Sequence, residues 1–130
     1  MGTQVTETMQ WIHHGGQHIL LADYGSLRGD ELVRAIAANR DAIVKFGEGG
    51  RRNLLILTDV SSAVIGPEAL GAFKDVANAM RPYTAASAVV GVTKARKFLL
   101  QTVNMFSSMK NEPADTVEQA KDWLAKQGEG

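Results

Sequence analysis

The sequence has no cysteine and only three prolines in 130 residues. Without cysteine, the chain can form neither a disulfide nor a thiolate metal site, and it has no cysteine nucleophile. It also has no excess of either charge, because 14 lysines and arginines balance 14 aspartates and glutamates. A basic excess is typical of proteins that bind nucleic acid, so we expect no nucleic-acid partner.

Long hydrophobic runs are missing as well. No apolar stretch approaches the roughly 20 residues that a membrane-spanning helix needs. The first ten residues lack the cationic start and the apolar centre of a signal peptide. We therefore expect a cytoplasmic protein, either free or peripheral to a membrane. The length suits one domain, which we place at 10–126, after a partly disordered or strand-forming segment at 1–9 and before a tail at 127–130.

Two short apolar-leaning segments, at 11–14 and 18–22, flank Gly15 and Gly16. A Gly-Gly connection supplies the positive φ angles of a tight turn, so it predicts a β-hairpin whose first strand begins near Val5. His13 should then lie opposite His18, and His14 opposite Gln17.

The three histidines are all in this predicted hairpin. His13 and His14 are adjacent on a strand, so their side chains point to opposite faces. We therefore expect one exposed cross-strand pair, His13 with His18, and no metal site, because no third ligand has suitable spacing.

A helical pattern of apolar residues runs from Leu32 to Val44, with Asp30 placed to cap its start and Gly47 to close it. The glycine-rich stretch at 47–52 ends in Arg51 and Arg52. It lacks the lysine and the Ser/Thr of a phosphate-binding loop, so it predicts a solvated loop.

Continuous apolar runs at 53–60 and 85–92 are typical of parallel strands that are covered on both faces. Between them, Pro67 is well placed to open a second helix, and Arg81-Pro82 to end it. A third helix should run from about 93 to 109. A break at 111–113 suits a short edge strand, and the stretch at 115–119 suits a capping-box start of a last helix.

Strands that alternate with helices predict an α/β fold. We expect a single domain with an about five-stranded, mostly parallel sheet that an antiparallel hairpin begins, and about four helices. The residues expected in the core are Ile36, Leu55, Ile56, Leu57, Phe73, Val76, Val89, Val90 and Trp123.

This order resembles the STAS domain, and specifically its SpoIIAA-like branch. The similar stretches are DYGSL at 23–27 with Glu31-Leu32, LILTD at 55–59, AVVG at 88–91 and DTVEQAKDWL at 115–124. The last of these is the most specific, since an alanine precedes a Trp-Leu pair there. The resemblance implies a family of interaction or ligand-binding domains, which is also compared with CRAL-TRIO (Sec14-type) lipid-binding domains.

Asp59, Ser61 and Ser62 follow the predicted central strand, where ligand and switch sites of α/β proteins gather. In STAS anti-anti-sigma factors, a serine beside this point is phosphorylated by a partner kinase. The resemblance therefore makes Ser61 or Ser62 a candidate phosphate acceptor, with a regulatory protein as partner. Here Val60 interrupts the usual motif, and the alternative is that both serines bond to backbone groups in the turn.

The predicted third helix carries more apolar residues than one buried face needs. Leu99, Val103 and Phe106 would fill the stripe that packs on the sheet, which leaves other apolar residues outside it. Such an excess marks a homodimer face, an apolar or lipid ligand site or a membrane surface, unless a neighbouring helix covers it. The candidate surface residues are Lys94, Arg96, Lys97, Phe98, Leu100, Met105 and Met109.

No nucleophile–base pair, paired carboxylates at catalytic spacing or cofactor fingerprint stands out in the sequence. We therefore expect a non-enzymatic binding module without a cofactor. A phosphorylation-regulated interaction switch is the alternative.

Overall fold

The computed structural model describes residues 3–92 and 111–129. The chain begins with a two-residue strand and a β-hairpin, after which helices alternate with parallel strands. The strands are β1 Thr3–Gln4, β2 Met9–His14, β3 Gln17–Asp23, β4 Leu54–Asp59, β5 Thr84–Val90 and β6 Glu112–Ala114. The helices are α1 Gly29–Glu48, α2 Pro67–Met80 and α3 Val117–Glu129, and a 3-10 turn, Arg81–Tyr83, follows α2.

The hairpin has the predicted register. Gly15 and Gly16 have φ angles of 57° and 77°, which only glycine adopts readily. His13 pairs with His18, and His14 with Gln17. The first hairpin strand begins at Met9 and not near Val5, because the chain turns between β1 and β2, where the Val5 and Thr6 amides both donate to the Met9 carbonyl.

The six strands lie in sequential order, β1 to β6, in one sheet. The pairings β1–β2 and β2–β3 are antiparallel, and those of β3–β4, β4–β5 and β5–β6 are parallel. The sheet is thus mostly parallel after an antiparallel start, as expected. Within residues 3–92 and 111–129 it has six strands rather than about five, because Thr3–Gln4 forms a short strand of its own. The predicted edge strand is β6, where Pro113 lies at a position that an edge tolerates.

Both faces of the sheet are covered. Leu54 and Ile56 of β4 belong to the core beneath α1 and α2, whereas Leu55 and Leu57 belong to the core beneath α3. Because neighbouring strand residues point to opposite faces, a strand between two cores needs an uninterrupted apolar run.

Most of the predicted core residues are buried. Phe73, Val89 and Trp123 are the exceptions, since each is only half-buried at the margin of a core. For Phe73 and Val89 the reason is that they line a cavity, so protein atoms do not cover all of their surface.

The ends of α1 differ from the prediction. The cap residue is Arg28, which makes no side-chain capping bond, and Asp30 lies in the first turn. Gly47 lies inside the helix on its buried face, four residues after the buried Ile43. A Cβ atom at Gly47 would overlap Cγ of Tyr83, so the missing side chain makes room for that ring.

The predicted starts of the second and the last helix are confirmed. Pro67 is the first residue of α2, with Gly66 as its cap. Before α3, the Thr116 hydroxyl accepts a hydrogen bond from the Gln119 amide at 3.1 Å, and the Gln119 side chain accepts one from the Asp115 amide at 3.2 Å. This reciprocal arrangement satisfies amides that the first helical turn leaves unpaired. None of the helices described is long and apolar enough to cross a membrane.

Candidate functional site

A cavity of about 80 Å³ lies between the sheet, α1 and α2. By the same measure one water molecule needs only about 10–15 Å³, so the cavity has room for a small organic molecule. All but three of the described lining residues are apolar. They are Met9, Ala22, Tyr24, Ile43, Ile56, Thr58, Val60, Ile65, Leu70, Phe73, Val76, Ala77, Met80, Val89, Val92 and Asn111.

The α2 helix contributes a large part of this lining. Phe73, Val76 and Met80 recur three or four residues apart and therefore share one helical face. This face of α2 lines the cavity. The opposite wall comes from alternate residues of β4, Ile56 and Thr58, which point to the same side of the sheet.

Tyr24 connects the cavity to a buried polar network. The Asn39 side-chain amide donates to the Tyr24 hydroxyl at 3.0 Å and to Thr8 Oγ1 at 2.9 Å. The Asn39 Oδ1 atom accepts from the Thr6 hydroxyl at 2.6 Å. Thr6 Oγ1 in turn accepts from the Thr8 backbone amide at 3.2 Å. This network fixes α1 to the turn between β1 and β2, and it includes the hydroxyl of Tyr24, a residue that lines the cavity.

The Tyr24 hydroxyl stays protonated in the folded protein. Tyr24 is only 3% exposed. Burial raises its pKa from 10.0 to about 12, although the hydrogen bond from Asn39 opposes the shift. A buried phenol resists ionisation because the low-dielectric surroundings disfavour the phenolate. At neutral pH Tyr24 therefore supplies a neutral donor and not a base.

The strand-end loop after β4 brings Asp59 and Ser61 together. The Asp59 Oδ1 atom accepts from the Ser61 backbone amide at 2.9 Å and from the Ser61 hydroxyl at 2.5 Å. Ser61 and Ser62 are both exposed. Asp59 is therefore the acceptor that stabilises this turn, whereas the sequence interpretation had the serines bonding to backbone groups.

The loop is tightly packed from the β5 side. Gly91, directly after β5, has a φ angle of 99°. A Cβ atom there would lie 2.5 Å from both the Cα and the N atom of Ser61. The end of β5 can approach Ser61 this closely only because residue 91 has no side chain.

The histidines form the predicted cross-strand pair. The rings of His13 and His18 have their centroids 4.1 Å apart, and both residues are exposed. His14 points to the other face, where its Nε2 atom lies 2.6 Å from a carboxylate oxygen of Asp122. Among the residues described, no three histidine or acidic side chains are grouped so that they could hold a metal ion.

The two arginines after α1 lie against aromatic rings. The Arg51 guanidinium lies 5.2 Å from the ring centroid of Trp11 and 5.5 Å from that of Phe46. The Arg52 guanidinium lies 5.4 Å from the Tyr83 ring centroid. Cation–π contacts of this kind hold the loop against α1, the hairpin and the 3-10 turn after α2, although both arginines are exposed as predicted.

A comparison with solved structures identifies the architecture. The chain is similar to an uncharacterized protein of the DUF3478 family from Shewanella loihica PV-4, whose crystal structure is described as having a SpoIIAA-like fold. The TM-score is 0.66, the sequence identity is 13%, and the match covers 89% of this chain and 91% of the other. This chain has a SpoIIAA-like fold. No family model matches the sequence, and no curated protein matches it either.

The SpoIIAA-like fold confirms the resemblance inferred from the sequence. At 13% identity the likeness shows the fold alone, and the relative is itself uncharacterized. The candidate surface on the third predicted helix lies outside the described residues. It consists of Lys94, Arg96, Lys97, Phe98, Leu100, Met105 and Met109.

Sequence reasoning missed the cavity and its polar network. One signal for the network was present, because Asn39 interrupts the apolar stripe of α1 between Ile36 and Ile43. A polar residue on a buried helical face needs a partner, and Tyr24, Thr6 and Thr8 are the partners here. The cavity itself had no local signal.

Proposed function

We propose that this SpoIIAA-like protein is a non-enzymatic binding module that holds a small apolar molecule in the cavity between the sheet, α1 and α2. The observation that carries the proposal is the cavity lining, which among the described residues is apolar except at Tyr24, Thr58 and Asn111. Ligand sites are typically concave and mostly apolar, with a few polar groups that orient the ligand.

Binding is favoured over catalysis by the chemistry of the described lining. Tyr24 is its one ionisable residue, and its raised pKa keeps it neutral. A general base must be unprotonated near neutral pH so that it can accept a proton, and a hydroxyl nucleophile is activated by losing its proton. The lining described offers shape and apolar surface instead.

The direct test is a titration with methylenecyclohexane, followed by methyl NMR on the protein labelled at isoleucine and valine. We expect shifts at Ile56, Val76 and Val89, which line the cavity. Native mass spectrometry of the freshly purified protein would show whether a cellular molecule is retained. No saturable shift at these methyl groups would contradict the proposal.

A filled-cavity variant provides the matched comparison. Ala77 is buried on α2 and lines the cavity, so Ala77→Leu should fill it and abolish the shifts. The control Ala38→Leu makes the same change at an exposed position of α1 and should bind as the wild type does. If Ala77→Leu does not fold, Val89→Met fills the cavity from the sheet side. A folded filler variant that still binds with unchanged affinity would overturn the assignment of the site.

The surface on 94–109 stays a prediction for the same kind of module, with a homodimer, a lipid or an anionic membrane as partner. Sedimentation, native mass spectrometry and flotation with anionic liposomes distinguish these three. Replacing Leu100 and Met105 with aspartate should abolish whichever interaction is seen and leave the protein folded. A double variant that fails to fold would assign these side chains to the core. The cytoplasm stays the predicted compartment.

A phosphorylation-regulated switch is the second candidate, and the exposure of Ser61 and Ser62 favours it. A phosphate on Ser61 would add about −1.5 to −2 charges beside the Asp59 carboxylate, which now accepts its hydroxyl hydrogen. The repulsion would break this turn and change the surface offered to a regulatory protein. Mass spectrometry of the protein from its native cell tests this, and absence of phosphate at both serines across growth conditions would count against it.

A further inference from the structure

The hydrogen-bond network around Asn39 has a fixed direction. Thr6 Oγ1 accepts from the Thr8 backbone amide and donates to Asn39 Oδ1. Asn39 Oδ1 is therefore the accepting end of the Asn39 side chain. The two hydrogens at the other end go to Thr8 Oγ1 and to the Tyr24 hydroxyl oxygen. All hydrogen-bonding hydrogens of Asn39's amide group are then used.

The Tyr24 oxygen is consequently an acceptor in this network, and the hydroxyl hydrogen of Tyr24 is not used in it. Asn39 is the hydroxyl's partner within residues 3–92 and 111–129, and no acceptor for the hydroxyl hydrogen is found there. Tyr24 is almost fully buried, so bulk water does not reach it freely. A buried donor without an acceptor is unfavourable, and native proteins rarely keep one.

Tyr24 also lines the cavity, so a molecule held there can supply the missing acceptor. The other two polar lining residues differ from it. Asn111 already accepts a hydrogen bond from the buried Ser87 hydroxyl at 2.7 Å, and Thr58 is at a half-buried position. The described lining has no charged side chain that could compensate a charged ligand, so burial of an ion there would be costly.

Resting on the proposed function, we propose that the cavity selects a neutral apolar molecule that bears one hydrogen-bond acceptor, such as a ketone, ester or ether oxygen, and that the Tyr24 hydroxyl donates to this acceptor. Tyr24 thus acts as the specificity-determining residue of the site. A hydrocarbon of the same shape binds through the apolar wall alone.

The test compares cyclohexanone with methylenecyclohexane, which have nearly the same shape and differ in having C=O or C=CH₂. Dissociation constants are measured by NMR titration for the wild type and for Tyr24→Phe. We expect the variant to weaken cyclohexanone binding about five- to tenfold, as for the loss of one neutral hydrogen bond, and to leave methylenecyclohexane within about twofold. The ratio of each probe's dissociation constants in the two proteins cancels the hydration of that probe, because the free probe is the same in both measurements.

A second readout does not need the variant to fold. In the wild type, the Cζ resonance of ¹³C-labelled Tyr24 should move on addition of cyclohexanone and stay nearly still with methylenecyclohexane. If neither probe binds the wild type, the proposed function itself fails. If both bind but Tyr24→Phe weakens them equally, or if the Tyr24 Cζ resonance responds to both alike, the cavity binds ligands and the role of Tyr24 is wrong.

Discussion

Gly91 approaches Ser61 so closely that a Cβ atom on the glycine would lie 2.5 Å from the serine's Cα atom. This contact joins the ends of β4 and β5 at the edge of the sheet where the strand-end loop lies. It depends on the absence of a side chain and on a positive φ angle.

Gly91→Ala should therefore lower the free energy of unfolding by about 2–4 kcal/mol, because the variant combines a strained backbone with a clash against main-chain atoms that cannot rotate away. Urea denaturation measures the change. Gly71→Ala is the control, because Gly71 lies in α2 with no atom near its missing side chain and should be stabilised by about 0.5–1 kcal/mol. Equal effects in the two variants would contradict this account.

Gly47→Ala should also destabilise the protein, by about 1–3 kcal/mol, although alanine is the better helix former. The added Cβ atom would overlap the Tyr83 ring at its Cγ atom. Tyr83→Leu removes that ring, so the double variant should regain part of the loss in a double-mutant cycle. Strict additivity of the two changes would show that the Tyr83 ring does not cause the loss.

Asn39→Ala should lower the free energy of unfolding by about 2–4 kcal/mol, since it leaves Thr6, Thr8 and Tyr24 without their buried partner. The matched control is Asn78→Ala, which makes the same change at an exposed position of α2 and should stay within about 0.5 kcal/mol of the wild type. If Asn39→Ala lowers the free energy of unfolding no more than Asn78→Ala does, the hydrogen-bond network does not contribute to stability.

Tyr24 makes stability depend on pH in the alkaline range. Its pKa is raised from 10.0 to about 12 on folding, so the folded state favours the protonated form. The stabilisation is fully present below pH 10 and is lost as the pH rises towards 12, by about 2–3 kcal/mol for two pKa units. Lysines titrate in the same range, so the measurement is the difference between the wild type and Tyr24→Phe in urea denaturation from pH 8 to 11.5. If the free energies of unfolding of the two proteins differ by the same amount from pH 8 to 11.5, folding does not raise the pKa of Tyr24.

The sequence determines those features that depend on local chemistry. Two consecutive glycines fix the hairpin register, because the turn dictates which residues oppose each other. The apolar run of β4 indicates a strand with a core on each side, since alternate residues must both be buried. Both features can be read from a few neighbouring residues.

The cavity could not be predicted in this way. Two volumes decide its size: the space that α1, α2 and the sheet enclose, and the space that the enclosed side chains fill. The cavity is the small difference between them, and it is lined by side chains such as Phe73, Ile56 and Val89. No short pattern contains that difference. The same holds for Gly47, whose position near a loop suggests a helix end, whereas the approach of Tyr83 from a distant segment gives it a packing role.

The covering of the second sheet face by α3 has a consequence for biosynthesis. The core on this face contains Leu124, which lies in α3, the last helix that the structure describes. Leu124 packs there with Ile19, Leu57 and Val90 of the sheet. A nascent chain that has reached β6 can already place α1 and α2 on their face, whereas α3, which among the described elements covers the opposite face, is synthesised last. Such a half-covered intermediate is prone to aggregation. A truncation that removes α3 should therefore be recovered in inclusion bodies, even though the cavity and the strand-end loop lie wholly outside that helix.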